Sequence, residues 1–194
     1  SGANRDDYFF WQDYLGKEYA LKAFQYAAAA DPTAILFINE FNLESNSEKL
    51  DSLIKYVNEL KSLGAKIDGI GTQMHITIHT AFIGIDAMFR KLAATGLKVR
   101  VSELDVRLNP GNTANYKSGI IPESVLKSQA AMYKYVVKSF LDNVPLGQRA
   151  GILVWGVNDI NSWLYDEGND YPLLYDNNYI PKPAFDGFAE GFGK

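Results

Sequence analysis

Two carboxylates, Glu103 and Asp105, stand two residues apart in the run Val99-Arg100-Val101-Ser102-Glu103-Leu104-Asp105-Val106. Val99, Val101 and Leu104 favour extended backbone, and Asn109-Pro110-Gly111 supplies turn residues, so the run reads as a strand. Side chains alternate along a strand, which sets both acids on one face near its C-terminal end. Acids beside an apolar strand are costly to bury unless they are paired or do chemistry. The pair therefore points to a site; the competing reading is a structural ion pair with Arg100 or Arg107. His75, two residues after Gln73 at another strand end, is a second candidate. Such a histidine on its own is more often a satisfied core or loop residue. His79 reads as a loop residue, and two histidines without a converging third ligand do not make a metal site, so no metal is expected.

The elements that must carry these residues alternate. Lys17 to Ala30 is helical and stops before Asp31-Pro32. Ile35 to Asn39 reads as a strand. Leu50, Leu53, Ile54, Val57, Leu60 and Leu63 then recur at helical spacing, with Ser45 and Glu48 as a capping box and Gly64 at the C-terminal end. Gly69 to Met74 is a strand and Ile83 to Ala94 a helix closed by Gly96. After the Glu103 strand, Pro122 suits the first turn of a helix reaching about Leu141, with Tyr133, Val136, Val137 and Phe140 inward. Gly151 to Val157 is the last strand and Pro183 to Phe192 a closing helix. Strands separated by helical crossovers predict a parallel sheet in an α/β fold.

Bulk properties narrow the function. The 194 residues suit one domain, and a formal charge of −4 with interspersed signs favours neither nucleic acid nor an anionic membrane. Aromatics at 13%, including three Trp and twelve Tyr, suit either a sugar-stacking surface or a packed core. The absence of cysteine excludes disulfides and thiolate metal sites but leaves the compartment open. No apolar run is long enough to span a bilayer, and no signal peptide is present in the sequence given. Gly69-x-Gly71 lacks the rest of a dinucleotide fingerprint, and no cofactor is expected.

At the strand ends the sequence reads Asn39-Glu40-Phe41-Asn42, Gln73-Met74-His75, Ser102-Glu103-Leu104-Asp105 and Trp155-Gly156-Val157-Asn158-Asp159, with Ser162-Trp163 after it. This series, in this order, resembles glycoside hydrolase family 10, the endo-β-1,4-xylanases. The likeness runs from about Trp11 to Phe192 and includes Pro172-Leu173-Leu174-Tyr175-Asp176 and Pro181-Lys182-Pro183-Ala184. It implies a (β/α)8 TIM barrel, an α/β fold of about 250 residues whose site lies at the strand C-terminal ends. Residues 1–194 would then be a single partial domain, the C-terminal half with strands five to eight. The resemblance makes Glu103 the nucleophile of a retaining mechanism, His75 its neighbour and Asp105 the support of that histidine. A charged network of this kind is expected to keep Glu103 ionised. Gln73, Asn39, Phe41, Trp155 and Trp163 are expected to bind substrate, the two tryptophans walling the glycone side. In such a mechanism nucleophile and acid stand roughly 5–5.5 Å apart.

The family's acid/base glutamate ends the fourth strand, and Trp11 to Tyr19 resembles the segment after it. The chain is thus expected to start just past that acid, and to be inactive without an N-terminal half as partner. Glu40 is not a substitute, because it lies two strands before Glu103 rather than three. Phe41 replaces a tyrosine common in the family. Four strands cannot close a barrel, so Ile35–Asn39 and Gly151–Val157 are expected as open edges. Trp11 is read as packing, and Tyr8-Phe9-Phe10-Trp11 as an apolar cluster for the missing half. The implied substrate is xylan or xylo-oligosaccharide, which is too large to enter cells readily, so a secreted, periplasmic or cell-surface enzyme is expected. Two alternatives stand beside this: a barrel glycosidase acting on β-glucan, and a non-catalytic xylan-binding remnant.

Overall fold

The structure, a computed structural model, describes residues 10–16 and 18–193. Along the chain come α1 (Phe10–Leu15), α2 (Tyr19–Ala30), β1 (Phe37–Glu40), α3 (Ser47–Ser62), β2 (Gly69–Thr72) and β3 (His75–Thr77). They are followed by α4 (Phe82–Ala94), β4 (Lys98–Arg107), α5 (Glu123–Asn143), β5 (Arg149–Val154) and α6 (Pro183–Gly191). All strand pairings are parallel. β1 pairs with β2, β2 with β4 and β4 with β5, while short β3 pairs with the far end of β4. This is the expected α/β architecture, half of a (β/α)8 barrel. Among the described residues β1, β3 and β5 each have one neighbour, and β1 and β5 form the two sides of the sheet.

The helices cover one face of the sheet. Leu50, Leu53, Val57 and Leu60 of α3, Ile85, Met88, Phe89 and Leu92 of α4, and Tyr133, Val136 and Phe140 of α5 are buried there. They meet Ile70, Val99, Val101, Leu104 and Val106 from the strands in one core. Burying an aliphatic or aromatic side chain of this size contributes about 1.5–3 kcal/mol, so this layer carries most of the stabilisation. The opposite, inward face holds polar side chains at Asn39, Arg100 and Ser102, none of them fully buried.

Several local expectations are corrected. The first strand starts two residues later than Ile35–Asn39 and ends one later, and the last ends at Val154 because Trp155 N–H makes its last rung to Leu104 O and Gly156 turns away at φ 135°. The strand predicted through Met74 stops at Thr72; Met74 sits at φ 61° and redirects the chain into β3. Asn46, not Ser45, caps α3, its side chain accepting from Lys49 N–H at 2.9 Å. Pro122 is the residue before α5 rather than in its first turn, with extended ψ 138°. Gly64 follows α3 at φ 90°, as a C-terminal cap requires. Ser1 to Asp7, Tyr8, Phe9 and Lys17 lie outside the described residues; Trp11, read as packing, is 61% exposed on α1. No helix among the described residues is long and apolar enough to cross a membrane.

Candidate active site

The parallel order brings the C-terminal ends of the strands to one rim, and the motif residues ride on it. Asn39 comes from β1, Gln73 and His75 from the break between β2 and β3, Glu103 and Asp105 from β4, and Trp155 from the end of β5. Strict alternation would turn Ser102 and Glu103 to opposite faces. The register of β4 against β5 shifts between Val101 and Leu104, so one extra residue is accommodated there. Val99, Val101, Leu104 and Val106 consequently all reach the core, while Ser102, Glu103 and Asp105 are left for the rim.

Each oxygen of Glu103 has its own donor. Asn39 Nδ2 donates to Oε1 at 3.0 Å, and His75 Nε2 lies 3.3 Å from Oε2. On its other side, His75 Nδ1 stands 2.9 Å from Asp105 Oδ2, which also accepts from Trp163 Nε1 at 3.0 Å. Asp105 is fully buried, whereas the Glu103 side chain retains 16% exposure, enough to meet a ligand. Burial works against a charged His75, but the hydrogen bond and charge of Asp105, followed by those of Glu103, outweigh it and raise the histidine pKa. A protonated imidazole donates through both nitrogens, and so can serve both carboxylates at once. The two acids are thus held together by one histidine. They are not ion-paired to the arginines considered from sequence: Arg107 binds Asp170 at 2.9 Å, and Arg100 donates to Ala150 O at 3.3 Å.

Phe41, Asn42, Gln73, His75, Trp155 and Trp163 line a cavity of about 410 Å³ beside this network. The His75 ring meets Trp163 and Trp155 edge-on, at centroid separations of 5.1 and 6.4 Å. Both tryptophans keep about half or more of their surface exposed, at 63% and 49%, as flat platforms for a ligand must. Phe41 carries Lys49 Nζ over its ring at 3.4 Å. Glu40, set aside as a catalytic acid, pairs with Lys49 at 3.0 Å. Asn39, expected to bind substrate, has its amide engaged by Glu103 and Ser102. His79 is an exposed turn residue. Asn42 and Met74, both flanking the cavity, have φ of 58° and 61°, the left-handed backbone that non-glycine residues adopt at a cost of about 1–3 kcal/mol.

Behind the rim lies a buried strap, whose segments 172–176 and 181–184 the family likeness singled out without a role. Lys182 Nζ binds Asp159 Oδ2 at 2.8 Å and Tyr171 O at 2.6 Å, and Asp159 Oδ1 accepts from Leu173 N–H at 2.7 Å. Tyr133 Oη and Gln129 Nε2 donate to Pro172 O and Tyr171 O at 2.7 and 2.8 Å. These contacts tie the segment bearing Trp163 to the C-terminal strap and to α5. Burial pushes the Asp159 carboxyl up to about 6, against the pull of Lys182, and burial likewise lowers the Lys182 pKa. A lysine inside an otherwise apolar Pro-Lys-Pro-Ala stretch was the available signal.

The profile of glycosyl hydrolase family 10 matches residues 2–191. Endo-1,4-beta-xylanase A of Cellvibrio japonicus (strain Ueda107) is 41% identical over 193 residues, covering 93% of this chain and 32% of its own length. Exoglucanase XynX of Acetivibrio thermocellus is 38% identical over 180 residues, covering 93% of this chain and 15% of its own. A mutant xylanase A of P. fluorescens subsp. cellulosa, solved in complex with xylopentaose, superposes with a TM-score of 0.87 at 37% identity. That alignment covers 100% of this chain and 60% of the solved one. The chain therefore spans about a third or less of these two curated relatives.

Proposed function

This chain belongs to glycosyl hydrolase family 10, and from that premise we propose that it supplies the nucleophile side of a retaining endo-1,4-β-xylanase. The observation that carries the reading is Glu103, held through both oxygens by Asn39 and His75 at the edge of an aromatic-walled cavity. In the proposed reaction a Glu103 oxygen attacks the anomeric carbon of a xylose unit. The bond to the leaving oxygen breaks, and a second carboxyl donates the proton that makes it an alcohol. Water, deprotonated by that same second carboxyl, then releases the sugar from Glu103 with retained configuration. The second carboxyl is proposed to belong to a barrel half outside the strands described, so that this chain alone is inactive. His75 orients and charge-balances Glu103 and Asp105 supports His75, while Gln73, Phe41, Trp155 and Trp163 meet the sugar.

The relatives' names support xylan as substrate; the exoglucanase among them favours one second reading, a β-glucan. Polymer size supports an exported enzyme, which fractionation of the producing cells tests. The main test is intact-mass analysis of the full-length protein after incubation with a 2-fluoro xylobioside bearing an activated leaving group. Such a group departs without a general acid, so the nucleophile is probed directly. An adduct mapped to Glu103 is expected. A folded, full-length protein that forms none refutes the xylanase reading, and leaves the matched glucoside reagent and simple xylo-oligosaccharide binding to separate a glucanase from a non-catalytic binder.

A further inference from the structure

We propose that Ser102 is a positioning residue, which sets the direction of the Asn39 amide so that its donor end holds Glu103. The proposal rests on the assignment of Glu103 as nucleophile. An asparagine amide has a donor end and an acceptor end of nearly equal shape, and only the donor end attracts a carboxylate. Asn39 stands on the inward face of β1, where both ends of its amide meet side chains of β4. Hydrogen bonds must decide. Ser102 Oγ donates to Asn39 Oδ1 at 2.8 Å, which occupies the acceptor end and turns Nδ2 toward Glu103 Oε1.

Two features of the sheet make this contact possible. The extra residue in β4 lets Ser102 share the rim with its neighbour Glu103, where regular alternation would point it away. Beneath the amide, Gly71 of β2 leaves a slot; a Cβ there would come within 2.3 Å of Asn39 Oδ1. The Asn39 side chain thus lies over Gly71, between a hydroxyl that can donate and a carboxylate that can only accept. Ser102 Oγ has a second acceptor, Thr72 O, at 3.3 Å, but the shorter contact is to Asn39. A residue without a hydroxyl at position 102 leaves Oδ1 without this donor, and Glu103 alone then orients the amide.

The test compares the full-length protein as wild type, Ser102→Ala and Ser102→Thr. Two quantities are read: the rate constant for labelling by the 2-fluoro xylobioside, and the Asn39 side-chain NH2 signals in 15N-resolved NMR. Ser102→Ala is expected to slow labelling roughly tenfold with little change in reagent affinity, and to move the Asn39 signals toward those of a free amide. Ser102→Thr keeps the hydroxyl and is expected to restore labelling to within about threefold, with wild-type Asn39 signals. Wild-type labelling and unmoved signals in Ser102→Ala overturn the proposal, as does a threonine variant no better than alanine. Failure of the wild type to label at Glu103 overturns the nucleophile assignment instead, and the Asn39 signals then still decide whether Ser102 orients the amide.

Discussion

Replacing Lys182 by Met, which keeps the stem and removes the charge, should destabilise the fold in a pH-dependent way. Asp159, fully buried, faces Lys182 Nζ at 2.8 Å, and its pKa already stands at about 6 against an ordinary 3.8. A carboxyl whose folded pKa is raised gives its full contribution to stability below the unfolded value and loses it as pH rises through the folded one. That loss levels off in the wild type at about 3 kcal/mol above pH 6, at 1.36 kcal/mol per pK unit. Without Lys182 the carboxyl stays neutral to higher pH, so the loss continues to grow. Its ceiling at pH 7.5 is the full work of protonating an ordinary aspartate, about 5 kcal/mol, which leaves at most about 2 kcal/mol for the variant to lose. At pH 5 wild-type Asp159 is already mostly protonated, and the same difference falls to nearly zero. The lost bond from Lys182 to Tyr171 O adds about 1 kcal/mol at either pH. Urea unfolding should therefore show a larger penalty near pH 7.5, at most about 3 kcal/mol, than near pH 5, about 1 kcal/mol, as a lower midpoint at unchanged slope. A penalty equal at the two pH values, or larger at pH 5, would refute a strap governed by the desolvation of Asp159.

Gly71→Ala should leave the melting temperature nearly unchanged, because it disturbs an exposed side chain, yet slow labelling of Glu103 by about tenfold or more. The methyl is fixed to the strand, so Asn39 must give way and release Glu103; labelling at the wild-type rate would show that the slot is not needed. Trp163→Phe removes one of two donors to Asp105 Oδ2, whose companion Oδ1 is buried with no hydrogen-bond partner among the described residues. With less of its charge satisfied elsewhere, Asp105 should raise the His75 pKa beyond its already elevated value, and the variant should unfold about 1–3 kcal/mol more easily. The chain has only two histidines, so an NMR titration resolves His75 cleanly, and a pKa that stays or falls counts against the network.

Much of the site was legible because its residues sit at strand ends with a period of two. Glu103, Asp105 and His75 could be picked out from the alternation and from the cost of burying acids, and the structure brings all three together. The family likeness added Trp155 and Trp163, which periodicity alone could not separate from core aromatics. Ser102 was invisible for a stated reason: period-two reasoning turns it away from Glu103, and only pairing with β5 reveals the extra residue that rotates it back. The pairing of Lys182 with Asp159 was not legible because the two lie 23 residues apart and a different loop closes over both. The capping of α3 by Asn46 rather than Ser45 turned on one residue, a margin that local pattern does not resolve.

By itself, then, the sequence determined the order of strands and helices, the apolar face of each, and which carboxylates stood at the rim, since these follow from local periodicity and from the cost of burying charge. Tertiary structure decided which donor each Glu103 oxygen receives, which way Asn39 points, that Met74 breaks its strand, and that Asp159 and Lys182 are buried as a pair. Those outcomes depend on register between strands far apart in the chain, and register is set where separate elements meet.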